Sequence, residues 1–476
     1  IIMTSTIKVN TVTTESGSTL TLGESGKTVT LASGASQTGF GRTGTVDWQT
    51  SIKTTAFTAV SGEGYFCDTN TSGAFTVTLP ASPSAGDIVA VKDYANTFDT
   101  ANLTIGRNGS NIGGAAQNSI ITQEGIAVTL VYADSTKGWL VTESGLQSEA
   151  PGPQYVAATG GTVTTACTDF KVHTFTSPGT FLVSNAGNSA GSNTVDYLVV
   201  AGGGGGGGDN FSTAGGGGGA GGFRYSATTY TSPSCAPGHP LRSTCAIPIT
   251  SATGISVTVG GGGAAGVGSG TKCGTQGSSS IFSTITSAGG GYGNGSGSPE
   301  LPAGSGGSGG GARNTTAGNG NTPPVTPSQG NPGGLGNGSG PTYNSGGGGG
   351  AMAAGSGGSA PVGGGPGGAG AGLPTAFGSN GEPSGSFRYY SGGGGGGIWT
   401  NIPAPQAAGP YGQGGLGGGG CGGQYTSPAQ GVVGVAGTAN TGGGGGAASG
   451  GPNSPNQTNG GAGGSGIVVI RYKFQN

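Results

Sequence analysis

Charge is scarce in this chain. Of 476 residues only 7% are Asp, Glu, Lys or Arg, and acids and bases nearly balance at a net charge of −2. A surface so close to neutral has no electrostatic footprint for a polyanion, so no nucleic-acid partner is expected. Aromatics are few, at 7%, and the only histidines are His173 and His239. A Ser–His–Asp set cannot be argued from that stock, and His173, alternating with Val172 on a strand, reads as structural. Between residues 201 and 466 the carboxylates dwindle to Asp209, Glu300 and Glu382. They are few and scattered, whereas a glycosidase needs paired carboxylates about 5–10 Å apart. The expectation is a protein that is not an enzyme. No apolar run is long enough to span a bilayer and no signal-peptide pattern opens the chain, so no membrane insertion is expected.

Cofactor signals are missing as well. Gly23-Glu-Ser-Gly-Lys27-Thr28 has half of a phosphate-binding loop, but position 21 is Thr and the following Val29-Thr-Leu31 is strand-like rather than helical. Gly-x-Gly-x-x-Gly recurs here by chance alone. No cofactor is expected. The cysteines are Cys67, Cys167, Cys235, Cys245, Cys273 and Cys421, in a spacing that matches no strong zinc pattern. Cys235, His239 and Cys245, with Cys273, could form a ligand set; the competing readings are a disulfide joining Cys235 to Cys245, or free thiols.

What the chain has is glycine, 118 residues of it. The glycines gather in blocks, among them 202–208, 215–219, 346–350, 392–397 and 442–446. Two apolar strands bracket them, Asp196-Tyr-Leu-Val-Val-Ala-Gly-Gly203 and Gly466-Ile-Val-Val-Ile-Arg-Tyr472. Brackets of matched composition point to a domain whose first and last elements lie side by side. Glycine is a poor helix former and weakens ordinary strands. Collagen needs Gly at every third position, a register these runs ignore. What remains is an extended three-residue helix, at about 3.1 Å per residue, whose N–H and C=O groups point sideways. Several such helices can satisfy one another's backbones because no Cβ holds them apart.

The rest of the chain reads as β. Residues 4–38 alternate strictly, as in Thr19-Leu-Thr-Leu22 and Thr28-Val-Thr-Leu31, with turns at a period of about nine residues. Each short strand has one apolar face that a single chain cannot bury, so a homotrimeric β-shaft over 1–43 is the economical solution. Residues 44–145 carry strand candidates at 53–60, 74–79, 87–93, 102–106, 118–122, 126–132 and 138–142, which read as a sandwich or small barrel with Trp48 and Trp139 as packing residues. A linker follows at 146–154, then a glycine-rich domain at 155–476. The fold class is therefore mainly β: a shaft, a sandwich-like bead, and packed glycine helices bracketed by strands.

Non-glycine inserts interrupt the glycine blocks at 223–253, 271–288, 312–332, 374–391, 398–411 and 424–441 and hold most of the aromatics. Aromatic faces on a rigid scaffold can stack on sugar rings or apolar patches at low entropic cost. The competing reading is that they pin the loops to helices that have no side chains of their own. Tyr389, Tyr390 and Trp399 flank the 392–397 block and are expected to be exposed. Arg388 beside them could grip a carboxylate or phosphate, and Tyr411 and Tyr425 complete the candidate set.

Several stretches together resemble bacteriophage tail-fibre proteins, particularly those of marine phages. Ser5-Thr-Ile-Lys-Val-Asn10 and Ser18-Thr-Leu-Thr-Leu-Gly-Glu-Ser-Gly26 are similar to fibre shaft segments. Gly64-Tyr-Phe66, Thr76-Val-Thr-Leu-Pro-Ala-Ser-Pro-Ser-Ala-Gly-Asp87 and Ile105-Gly-Arg-Asn-Gly-Ser110 are similar to a fibre bead domain. Tyr197-Leu-Val-Val-Ala-Gly-Gly-Gly204 and the closing bracket resemble the glycine-rich domain of phage fibres and adhesins, which in T-even-like phages is a polyglycine-II sandwich with host-recognising tip loops. The resemblance implies a homotrimeric virion fibre. Its N-terminus would join other tail proteins, and its tip loops would meet a host surface glycan or outer-membrane component. Two other readings remain: a structural virion or extracellular filament protein, and a surface polysaccharide depolymerase using two of Asp209, Glu300 and Glu382.

Overall fold

The computed structural model describes residues 46–147, 153–209, 213–227, 239–270, 272–295, 301–337, 342–359, 363–400, 411–424, 431–451 and 458–475. The shaft reading of 1–43, most of the linker, Cys235, Glu300 and Tyr425 lie outside them. The chain divides into two compact units, Ile1–Pro151 and Gly152–Asn476.

In the first unit the chain alternates between two sheets. One is ordered Asp47–Lys53, Glu63–Cys67, Ile88–Asp93, Ile126–Asp134, Gly138–Leu146; the other Phe57–Thr58, Phe75–Thr78, Leu103–Gly106, Ser119–Ile121. Each sheet begins with parallel pairs, whose strands alternate between the layers along the chain, and ends in antiparallel pairs, two of which join consecutive strands. Neither closes into a barrel. Val77, Leu79, Leu103 and Ile105 from one layer meet Tyr65, Val89, Val91, Leu130 and Trp139 from the other to form the core. Glu63–Cys67 is a strand that the reading above left unassigned, since Gly62 and Gly64 break its apolar pattern. Gly64 is required there because a Cβ would strike the Trp48 ring. Trp139 is fully buried, but Trp48 is 40% exposed and packs against Phe66 with ring centroids 5.0 Å apart. Both tryptophans are packing residues, Trp139 in the core and Trp48 on the edge strand.

The second unit has a strand end and a glycine end. The bracketing strands Thr194–Val200 and Ile467–Lys473 pair antiparallel, Asp196 opposite Arg471 and Val200 opposite Ile467. Both are buried on both faces, which is why they read as continuous apolar runs. Val195, Tyr197, Val199, Val468, Ile470 and Tyr472 face a second sheet through Val156, Phe181, Val257 and Phe282. Leu198, Val200, Ile467 and Val469 face the opposite way, toward Leu373, Phe377 and Tyr390.

His173 is buried within the first of these layers. Its Nδ1 lies 2.8 Å from the Gly160 carbonyl, which can only accept, so Nδ1 carries the proton. Nε2 then accepts from the Tyr472 hydroxyl at 3.1 Å, and that oxygen accepts from the Ala158 N–H at 3.1 Å. The circuit closes only for neutral imidazole. Burial is the main cause that lowers the His173 pKa below its ordinary value. A folded-state pKa below the unfolded one leaves stability intact above about pH 6.5 and erodes it as pH falls, by at most about 1.4 kcal/mol per pH unit. The melting temperature of this unit should fall between pH 7.5 and 5.5, and His173→Gln should flatten the profile. A flat wild-type profile would remove the role assigned to this circuit.

Beyond Val200 the backbone becomes a lattice. The N–H groups of Gly202, Gly205 and Gly208 donate to Ser278, Thr275 and Lys272; those of Gly203, Gly206 and Asp209 donate to Gly464, Gly461 and Thr458; those of Gly204 and Gly207 donate to Gly219 and Gly216. Partners recur every third residue in three directions, the signature of polyglycine-II packing. The same segment accepts from Gly290 and Gly293, from Gly263 and Gly266, and from Gly445 and Ala448. It therefore touches six neighbouring passes: the three it donates to run antiparallel, and the three it accepts from run parallel. Segments 214–222, 307–312, 345–350, 392–397 and 442–448 are surrounded in the same way.

Candidate functional site

Because neighbouring passes share a known register, hydrogen-bond partners place every pass end at one of two ends of the lattice. The chain leaves the strands at Val200 and reaches the far end at Asp209, about 28 Å away at 3.1 Å per residue. It returns over 214–222 to the strand Phe223–Ser226. It goes out again over 260–266, and back over 272–278 to the strand Ser280–Phe282. The alternation continues through 392–397 outward and 412–415 back, then 442–448 outward and 460–464 back to the closing strand.

This separates the candidate residues. Arg388, Tyr389 and Tyr390 lie on the strand Phe387–Tyr390, at the strand end. The strand pairs with Ala371–Pro374 and Glu382–Ser384, making a small sheet over the outer face of the bracketing strands. Tyr390 is completely buried, and its hydroxyl donates to the Asn380 carbonyl at 2.8 Å. Burial pushes its pKa above the ordinary phenol range. The expectation that Tyr390 is exposed is therefore corrected: its ring supplies apolar surface that the glycine lattice cannot. Tyr389 is half-buried with its ring over Gly372, and Arg388 is half-buried on the core-facing side of the same strand.

Trp399 lies at the other end, beyond the 392–397 pass. It is 9% exposed, so the expectation of an exposed indole is corrected here as well. Its strand Ile398–Thr400 pairs with Thr342–Asn344, which sets Trp399 against Tyr343 with ring centroids 5.3 Å apart. The Arg313 guanidinium stands 5.6 Å over the Tyr343 ring. The arrangement is tied to the lattice below it. Ser449 Oγ accepts from the Ile398 N–H at 2.9 Å, Gly450 donates to the Ile398 carbonyl at 3.0 Å, and Ser345 Oγ donates to the Ala214 carbonyl at 2.9 Å. Tyr343 is half-buried and offers an aromatic edge already held in place. Tyr411, half-buried, opens the return pass at this same end. Neither Tyr343 nor Arg313 belongs to the candidate set read from the sequence; Arg313 stands alone in a Gly/Ala/Asn stretch and carries no motif.

The carboxylates also part. Asp209 is buried at the far end against Gly450. Glu382 is at the strand end, where its carboxylate accepts from the N–H groups of Gly417 and Gly418 at 2.6 and 2.7 Å. Those glycines have φ of +111° and +87°, a turn between passes that only glycine makes without strain. Asp209 and Glu382 cannot share a groove. Cys245 is an exposed thiol, and the Cys235–Cys245 candidate pair lies in part outside the described residues. Among the described residues no group of His, Cys, Asp or Glu could hold a metal ion, and no helix is long and apolar enough to cross a membrane.

Taken as a class, the second unit is a sandwich of polyglycine helices clamped at one end by β-sheets. A family model described as a glycine-rich domain matches residues 175–473, and the chain belongs to that family. No curated protein matches the chain.

Proposed function

We propose that the chain is a virion tail-fibre or adhesin protein that attaches a bacteriophage to its host through the far end of the glycine lattice. The observation that carries this reading is the polarity of the second unit. Among the described residues of this unit the large apolar cores lie at the strand end, whereas the far end carries the Arg313–Tyr343–Trp399 cluster and Tyr411 on a stiff backbone lattice. The residues flanking 210–212, 296–300, 338–341, 401–410, 425–430 and 452–457 all lie there. A stiff scaffold that holds aromatic side chains at an end away from its own cores suits recognition of a surface glycan or outer-membrane component. The alternating sequence pattern of 4–38 fits a trimeric shaft toward the particle, and several copies would add avidity to weak single sites.

Binding of the purified chain to a panel of candidate bacterial hosts tests the reading. Tyr343→Ala and Tyr411→Ala together should weaken binding at least about tenfold, as loss of an interface anchor does. Tyr389→Ala, at the strand end, should leave it unchanged. Equal loss for both sets would favour the structural filament reading, in which these aromatics pin the fold and another protein meets the host.

A further inference from the structure

At the strand end of the second unit, away from the Tyr343–Trp399 cluster, a cavity of about 390 Å³ opens between two sheets. Small-molecule sites commonly have volumes of about 300–1,000 Å³. One wall comes from the sheet that carries the bracketing strands. Val195 is opposite Ile247 and Val199 is opposite Arg224. Alternation along Thr194–Val200 then puts Tyr197 on the same face, between Ile247 and Arg224. The other wall is the hairpin of Ser280–Phe282 and Ile285–Ser287, which contributes Ile285 and the turn residues Ser283 and Thr284. The segment 243–250 closes the side with Ser243, Cys245 and Pro248.

Two groups in this lining lack the partners they would ordinarily have. Tyr197 is 1% exposed, yet its hydroxyl has no hydrogen bond among the described residues. Buried phenols usually find a partner, and the cavity is the space left for one. Arg224 is half-buried, and its guanidinium reaches a protein acceptor through Nη1 alone, at a long 3.4 Å from the Thr286 carbonyl. No Asp or Glu lines the cavity among the described residues. Arg224 can therefore take a carboxylate through paired N–H groups. Tyr197, Ser243, Ser283 and Thr284 can exchange hydrogen bonds with hydroxyls, and Ile247, Pro248 and Ile285 offer apolar surface to the C–H face of a ring. Inorganic phosphate would leave the apolar side bare, and a fatty acid would leave the polar side unpaired. We infer that this cavity binds an acidic sugar of the hexuronate class, its carboxylate on Arg224 and a ring hydroxyl on Tyr197. The site lies apart from the attachment end and does not depend on that reading.

Cys245 gives a local readout, because its exposed thiol lines the cavity. Alkylation of Cys245 in the full chain is followed by mass spectrometry of its peptide, with glucuronate, glucose or inorganic phosphate present at millimolar concentration. Calorimetric titration gives the affinities. Glucuronate should slow the alkylation, and glucose and phosphate should not. Arg224→Gln should weaken glucuronate binding at least about tenfold, as loss of a charge-assisted pair does. Tyr197→Phe should weaken it about three- to tenfold, as loss of a neutral hydrogen bond does. The phenol bonds to nothing in the free protein, so Tyr197→Phe should keep its melting temperature and separates lost binding from lost fold. Protection by phosphate equal to that by glucuronate would make this a plain anion site and overturn the sugar assignment. No protection by any of the three, or unchanged affinity in either variant, would overturn the site itself. Adsorption to bacteria is not the readout, so the outcome is separate from that of the adhesin reading.

Discussion

Gly206→Ala should unfold or severely destabilise the second unit, whereas Gly261→Ala should be silent. A methyl built on Gly206 overlaps the carbonyl of Gly446, a backbone atom that cannot rotate away. Relieving the overlap means moving a pass that is itself surrounded. Gly206 donates to Gly461 and accepts from Gly266, and Gly446 donates to Val435, each near 2.8–2.9 Å. Buried backbone groups that lose partners cost about 1–3 kcal/mol each, and overpacking a dense interior adds a similar amount. The expected loss is about 3–6 kcal/mol, or roughly 5–15 °C of melting temperature for a unit of this size. Gly218, Gly394 and Gly444 face carbonyls in the same way and should behave alike. Gly261 is exposed and a Cβ there meets nothing within 4 Å. Replacing it removes unfolded-state freedom, so its effect is neutral or slightly stabilising. Calorimetry on the purified variants checks both halves. Equal tolerance at Gly206 and Gly261 would mean that the interior passes are not packed as described.

Asp196→Ala should cost the second unit about 3–5 kcal/mol, the penalty for leaving a buried charge without its partner. Asp196 and Arg471 are both fully buried, with Arg471 Nη1 3.5 Å from Asp196 Oδ2. They sit directly opposite on the bracketing strands, so the pair joins the first and last elements of the domain. Arg471 also stacks on the Phe170 ring at 3.6 Å, and Asp196 accepts from Ser226 Oγ at 3.3 Å. Its contribution is therefore specific to one register of these strands: a slip of one residue would bury both charges apart. The paired change Asp196→Leu with Arg471→Met should recover most of the loss, because the Coulombic gain of a buried pair barely exceeds its desolvation cost. If the paired change is as damaging as the single one, the site depends on the charges rather than on their mutual compensation. Denaturant melts of the three variants separate these outcomes.

The bracketing strands and the glycine helices were legible because each leaves a strong local pattern. A run buried on both faces is continuously apolar, and a pass surrounded on all sides tolerates glycine with an occasional alanine or serine. Peripheral passes were harder. The insert 312–332 reads as loop, yet Gly318 and Asn331 lie in passes that bond to their neighbours every third residue. A pass at the lattice surface needs glycine only where it faces another pass, so residues such as Pro332 and Leu335 fit within it, Leu335 at the surface. With those passes hidden, the direction of 392–397 could not be counted. Adjacency to that block therefore grouped Tyr390 with Trp399, though the two sit at its opposite ends. Their burial follows from the same scarcity of side chains that made them conspicuous. In the first unit the later strands were placed well by alternation and turn residues. The strand Glu63–Cys67 was missed because Gly64 serves packing under Trp48 rather than a turn.

The adhesin reading stands on the far end of the lattice, and replacing its connections tests it most directly. Residues 401–410, 425–430 and 452–457 are each exchanged for a short Gly-Ser segment in the full chain. Calorimetry and adsorption to susceptible bacteria are then measured on the same preparation. The account predicts an unchanged melting temperature and lost adsorption. Full adsorption with an intact melt would contradict it and leave the lattice as scaffold alone.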